Sequence, residues 1–77
     1  VALQVYLRAV RGWSWGQVAN LLIRRGLLDL PARIEELLQK DPTLTPEQAE
    51  RKVREHFRLL VQQTTHQAAK LLKIPLP

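Results

Sequence analysis

The sequence contains no cysteine among its 77 residues. Disulfide bonds, cysteine-ligated zinc, iron–sulfur clusters and thiol chemistry are therefore excluded. Small secreted domains commonly depend on disulfides or metals, so we expect an intracellular, cytoplasmic protein. A chain of this length buries only about 60% of the surface that its unfolded state exposes. It has room for one domain, which we predict over residues 1–77.

Methionine is absent as well, and the sequence begins with valine. We expect either a chain that has lost its initiator or an excerpt of a longer protein. No apolar run approaches the roughly 20 residues of a membrane-spanning helix. The first residues also lack the charged, apolar and small-residue regions of a signal peptide. A membrane partner is therefore not expected.

Side chains suited to catalysis are few and poorly placed. His56 and His66 stand ten residues apart, which turns them to different faces of one straight helix. The three glycines, Gly12, Gly16 and Gly26, do not have the spacing of a phosphate-binding loop. We therefore predict a protein without enzymatic activity and expect no metal, no cofactor and no small-molecule substrate.

Acidic side chains are missing from both ends of the chain. Residues 1–28 contain four arginines and no acid, and residues 56–77 contain three basic residues and no acid. All seven acids lie in residues 29–55, together with five basic residues, and the net charge is +5. Basic patches favour polyanionic partners, nucleic acid first. The alternative interpretation is that this charge serves solubility alone.

Helical periodicity and helix-capping signals predict an all-α fold, a small bundle of three short helices and one long C-terminal helix. Ser14 with Gln17, and Thr45 with Gln48, have the spacing of capping boxes. Gly26 suits the left-handed position that ends a helix. The predicted helices cover residues 2–11, 14–25, 30–40 and 46–73, and an extended tail covers residues 74–77.

The first predicted helix is amphipathic. One face, in the pattern of a core-facing surface, contains Leu3, Tyr6, Leu7 and Val10. A second face contains Gln4, Arg8 and Arg11.

The fourth predicted helix carries a long apolar stripe. Its members are Val53, Phe57, Leu60, Val61, Thr64, Ala68, Leu71 and Leu72. The helix would be about 42 Å long, whereas a compact domain of this size has a radius of gyration of roughly 11–12 Å. We therefore expect it to project, to bend near Thr64–Thr65, or to pack against something outside the chain. We predict that a second copy or another subunit covers Ala68, Leu71 and Leu72.

Residues 14–22, Ser-Trp-Gly-Gln-Val-Ala-Asn-Leu-Leu, resemble the first helix of helix-turn-helix DNA-binding proteins. The resemblance covers nine to twenty-five residues. It implies a recognition helix that begins near Pro31. Its polar side chains would be Arg33, Glu35, Glu36 and Gln39. The chain departs from the family pattern because the turn glycine, expected at position 23, is Gly26, and because two glutamates are unfavourable next to phosphates.

These observations predict a small, basic, nucleic-acid-associated protein that binds phosphate backbone without catalysis. The predicted phosphate-binding residues are Arg8, Arg11, Arg24, Arg25, Lys70 and Lys73. For Trp13 two roles are open: it stacks on a base or packs on the bundle. Such a protein could be a DNA-binding regulator, or a helical subunit of a larger nucleoprotein complex, such as the small subunit of a CRISPR effector complex. The second form rests only on an analogy with such subunits in size and charge, and on the fact that the sequence begins with valine. The alternative is a protein-interaction or oligomerisation domain, which includes a homodimer.

Overall fold

One long helix organises the molecule, and three short helices pack on it. The structure is a computed structural model that describes residues 2–76. The helices are α1 (Ala2–Ala9), α2 (Trp15–Arg24), α3 (Leu30–Lys40) and α4 (Pro46–Leu72), and the described residues contain no strand. The predicted fold class is confirmed. Val1 and Pro77, which belong to the predicted domain and tail, lie outside the described residues.

Both predicted capping boxes are present. The Ser14 hydroxyl accepts a hydrogen bond from the Gln17 amide at 3.2 Å, and the Gln17 side chain accepts one from the Ser14 amide at 2.8 Å. Thr45 and Gln48 make the same reciprocal pair at 3.2 and 3.0 Å. Each pair satisfies two backbone amides that the first helical turn leaves without a partner. These contacts fix where α2 and α4 begin.

Two helices end with a residue in the left-handed backbone conformation. Gly26 follows α2 with φ 74°, and the amide of the next residue donates to the carbonyl of Leu22. Lys73 follows α4 with φ 57°, and the Ile74 amide donates to the carbonyl of Ala69. This is the Schellman arrangement, in which glycine is the usual residue. Helix α4 therefore ends one residue before the predicted limit.

The short helices divide the length of α4 between them. On the N-terminal half of α4, Val53 and Phe57 form a buried cluster with Leu30 of α3. On the C-terminal half, Val61 forms a second cluster with residues of α1 and α2: Leu7, Val18, Ala19 and Leu22. The bundle measures 43 × 19 × 17 Å, and α4 is about 40 Å long. Because buried residues recur from Ala49 to Ala69, the other helices cover most of α4, and only its last turn extends beyond them.

Every fourth residue of α4 is buried, and these residues form its packing surface. They are Ala49, Val53, Phe57, Val61, Thr65 and Ala69. Because an α-helix has 3.6 residues per turn, each step of four advances the surface by about 40°, or about 200° over the series. The predicted apolar stripe turns less around the helix than this buried surface does. It includes Leu60, Leu71 and Leu72, which are exposed.

Helix α1 packs on the bundle through Gln4, Val5 and Leu7, a face that differs from the predicted one. Leu7 is buried as expected, but Leu3, Tyr6 and Val10 are exposed. Gln4, from the predicted outer face, retains only 8% of its exposure. Most of the predicted apolar face of α1 is therefore in contact with solvent.

The reason lies on the part of α4 that α1 covers. Thr65 is fully buried there, and its hydroxyl donates to the carbonyl of Val61 at 2.6 Å. The Gln4 side-chain amide donates to the Thr65 hydroxyl at 2.9 Å and to the Thr64 hydroxyl at 3.3 Å. Buried polar groups are costly without partners. The two threonines therefore favour an amide over an apolar side chain.

This contact gives the first prediction. Replacing Thr65 with valine removes the acceptor at 2.9 Å from a buried amide and should lower the free energy of unfolding by about 1–3 kcal/mol. Adding Gln4→Leu should recover part of that loss, because both polar partners are then replaced by apolar groups of similar size. Urea unfolding followed by circular dichroism measures the double-mutant cycle. Strictly additive losses would contradict the proposed coupling.

Candidate nucleic-acid interface

Three side chains from different helices contact one another at the acid-free end of the molecule. We call Arg8, Trp15 and His66 the stack, although the two rings are tilted by 49°. The Arg8 guanidinium lies over the Trp15 ring, 4.5 Å from its centroid. The Trp15 ring also contacts the imidazole of His66, and the two ring centroids are 5.2 Å apart. Arg8 and Trp15 are half-buried, and His66 is exposed. The stack therefore joins α1, the start of α2 and the C-terminal half of α4.

Arg8 also holds the turn between α1 and α2. Its guanidinium donates to the carbonyl of Trp13 at 2.6 Å, and the Trp13 amide donates to the carbonyl of Leu7 at 3.0 Å. The Trp13 side chain is half-buried against the core cluster of Leu7, so part of its ring remains accessible. Arg8, predicted as a phosphate ligand, therefore positions the two tryptophans as well.

The predicted lysines continue the same surface. His66 and Lys70 are exposed and four residues apart, which places them on one side of α4, and the exposed Lys73 follows directly after the helix. Arg11 is exposed in the turn that follows α1. We call this region the basic end. Its residues are Arg8, Arg11, Trp13, Trp15, His66, Lys70 and Lys73.

His66 was not among the predicted site residues. The one feature of the sequence that points to His66 as a site residue is its position one helical turn before Lys70. That spacing places an aromatic ring beside a cation, but the contact with Trp15 depends on how α2 packs.

Arg24 and Arg25 lie apart from the basic end. The Arg54 guanidinium donates to the Asn20 side-chain oxygen at 2.9 Å, whereas Trp15 contacts His66, so α2 runs antiparallel to α4. The end of α2 is therefore beside the N-terminal half of α4, roughly 14 Å from Trp15. The predicted set of six basic residues does not form one patch.

A second basic region lies between α2 and α4. Asn20 lines this groove of about 290 Å³ together with Arg51, Arg54 and Arg58. Its charge is largely compensated. Arg54 pairs with Glu50 at 3.5 Å, and Arg58 pairs with Glu55 through a 3.0 Å hydrogen bond from Nε.

The hydrogen bonds from Arg58 lower the pKa of Glu55, and the same contact raises the pKa of Arg58. Both groups are therefore ionised at neutral pH and largely neutralise each other. The groove is a weaker candidate for phosphate binding than the basic end.

The helix implied as a recognition helix is α3, and its cations are paired. Arg33 and Lys40 contact the two carboxylate oxygens of Glu36 at 3.3 and 3.4 Å. Glu35 is exposed on the same helix. With two cations and two carboxylates, α3 offers phosphates no net positive charge, which argues against a role as a recognition helix in a DNA groove.

Only part of the predicted protein interface, formed by Ala68, Leu71 and Leu72, is exposed to solvent. Ala68 is half-buried within the chain, whereas Leu71 keeps 84% and Leu72 keeps 55% of its exposure. The exposure of the two leucines leaves the interface itself a prediction.

No protein-family model matches this chain, and no curated protein or solved structure is significantly similar to it. Residues 2–76 contain no group of three or more His, Asp and Glu side chains placed to hold a metal ion. No helix in that range combines the length and the apolar character that crossing a membrane requires.

The second prediction concerns the backbone at Lys73. A left-handed conformation costs an L-residue with a side chain roughly 1–2 kcal/mol, so Lys73→Gly should raise the free energy of unfolding by about 1 kcal/mol. Lys73→Ala is the matched control, since it removes the same charge and keeps the strain. Thermal and urea unfolding measure both. Equal stabilities of the two variants would contradict the strain.

The third prediction tests the role of Arg8. Arg8→Lys keeps the charge but removes the planar guanidinium that contacts Trp13 and Trp15, and should cost about 1–2 kcal/mol. It should also change the tryptophan fluorescence. Arg11→Lys, on an exposed side chain in the next turn, should change neither property. Equal effects of the two variants would show that Arg8 acts only as a charge.

Proposed function

We propose that this chain is a small, non-enzymatic, nucleic-acid-associated protein and that its basic end binds phosphate backbone. The observation that supports the proposal is the separation of charge along the molecule. Every acidic side chain lies in residues 29–55, while α1, α2 and the C-terminal half of α4 contain none. The potential at the basic end is therefore not offset by nearby carboxylates.

The charged groups at this end are available for binding. Within residues 2–76, the ion pairs formed by acidic side chains involve Arg33, Lys40, Arg54 and Arg58. Arg11, Lys70 and Lys73 are exposed and outside those pairs. A phosphate that binds them displaces condensed counterions from the nucleic acid, and this release drives association at low salt.

Aromatic rings beside these cations suit a strand whose bases are accessible. Trp13 is partly accessible and His66 is exposed, and both lie among the basic residues. Bases stack on such rings with little dependence on sequence, and the cations follow the backbone. The combination supports binding without base-specific readout. DNA and RNA both satisfy this chemistry.

Of the two biological forms considered, a subunit of a larger nucleoprotein complex has more support than a sequence-reading regulator. The cations of α3 are paired with Glu36, and Glu35 lies on the same helix. That surface is unfavourable for a recognition helix. The small subunit of a CRISPR effector complex remains an analogy of size and charge.

A protein-interaction domain is the second candidate. Leu71 and Leu72 support it, because their apolar side chains are exposed at the end of α4. Exposed apolar patches commonly mark interfaces. A protein partner at these leucines is compatible with nucleic acid at the basic end.

The fourth prediction tests the basic end with charge-matched variants. Lys70→Gln with Lys73→Gln should weaken binding to fluorescently labelled single-stranded DNA, single-stranded RNA and duplex DNA. The slope of log affinity against log salt concentration should fall by about two, one for each lost phosphate contact. Lys40→Gln with Lys52→Gln removes the same charge from the other half of the molecule and should change the slope little.

Equal effects of the two double variants would show that net charge alone drives binding. No binding of any probe at low salt would contradict the proposal. Retained binding after loss of Lys70 and Lys73 would place the site elsewhere, and Arg24→Gln with Arg25→Gln then tests the end of α2.

A further inference from the structure

The outer face of α1 is apolar although the helix lies on the surface. Leu3 and Tyr6 of α1 and Val10, which follows the helix and whose amide donates to the Tyr6 carbonyl at 2.9 Å, are spaced at three and four residues and share one side, away from Gln4. Tyr6 keeps 47% and Val10 keeps 67% of its exposure. This spacing is typical of a helix that places apolar anchors in a groove, and tyrosine is enriched in such interfaces.

A groove of suitable chemistry lies at the other half of the molecule, between α3 and α4. It is a shallow depression, open to solvent, of about 630 Å³. Its apolar lining consists of Leu30, Pro31, Ile34 and Leu38, and the carboxylates of Glu35 and Glu50 stand beside it. The described residues place no cation in this lining.

The charges of the two surfaces are complementary. Arg11 is exposed next to Val10, and residues 1–28 contain no acid. Glu35 is exposed at the groove and forms no ion pair within residues 2–76. A contact between two α1 faces would instead bring like charges together. The charge pattern therefore favours contact between α1 of one copy and the groove of another.

We propose that the protein associates head to tail, with the Leu3–Tyr6–Val10 face of α1 docked in the α3–α4 groove of a second copy. The two surfaces lie at different halves of a molecule 43 Å long, so each copy can use both at once. Such a contact is heterologous, and it extends into a chain of copies unless rotation closes a ring. This association does not depend on nucleic acid, so it can fail while the proposed function holds, and the reverse.

Two complementary variants test the geometry. Tyr6→Glu places an acid on the α1 face and leaves the groove intact. Leu38→Glu places an acid in the groove and leaves α1 intact, and the two introduced acids cannot attract each other in a mixture. Sedimentation of nuclease-treated protein over a dilution series should show wild-type mass rising with concentration beyond a dimer. Each variant alone should stay monomeric, and their equimolar mixture should form a dimer that grows no further.

Controls separate this contact from the other exposed apolar surfaces. Leu59→Glu adds a charge to an exposed leucine outside both surfaces and should leave association unchanged. Arg11→Glu should weaken association about tenfold, and Glu35→Arg in the same chain should restore it, since the pair is then reversed in sign. Circular dichroism checks that each variant folds. If Tyr6→Glu unfolds, Val10→Glu replaces it, because that side chain is more exposed.

Several outcomes overturn the proposal. They are a wild type that is monomeric at every concentration, an assembly that stops at a symmetric dimer, and a variant mixture that stays monomeric. Loss of association in Leu71→Asp with Leu72→Asp, combined with normal association of Tyr6→Glu, would place the contact at the end of α4 instead.

Discussion

The spacing of buried residues on α4 determines how the rest of the chain packs. Because they recur every four residues from Ala49 to Ala69, the packing surface turns around the helix as it rises. A single flat layer of helices cannot cover such a surface. Helix α3 therefore takes one side of the N-terminal half, while α1 and α2 take another side of the C-terminal half. The separation of the two surfaces follows from this turn, and the length of the molecule follows from the 27 residues of α4.

Features that depend on a few neighbouring residues could be predicted from the sequence, and features that depend on distant contacts could not. The capping boxes at Ser14 and Thr45 need only a partner three residues later, so the starts of α2 and α4 were predicted correctly. The orientation of α1 depends on Thr64 and Thr65, about sixty positions away. Periodicity within α1 carries no information about hydroxyls on another helix. The rule that apolar faces point inward therefore predicted the wrong face of α1 to be buried.

The same distinction applies to the candidate site. The acid-free region could be predicted because the acids are contiguous in the sequence, and contiguous segments stay together when they fold into one helix or a helical hairpin. The grouping of basic residues within that region could not be predicted. It depends on the antiparallel course of α2, which places Trp15 beside His66 and carries Arg24 away from it. It also depends on the Arg8 guanidinium, which the fold uses for the turn at Trp13.

The division of the core into two clusters has a consequence for the dynamics of the protein. The cluster around Val61 and the cluster around Phe57 occupy different halves of α4, and Leu28 packs against both. Local unfolding usually follows such units, each opening with its own free energy. Helix α3 can then detach from α4 while α1 and α2 stay in place. Amide hydrogens of α3 would exchange with solvent faster than those near Val61, and the stack of Arg8, Trp15 and His66 would outlast that opening.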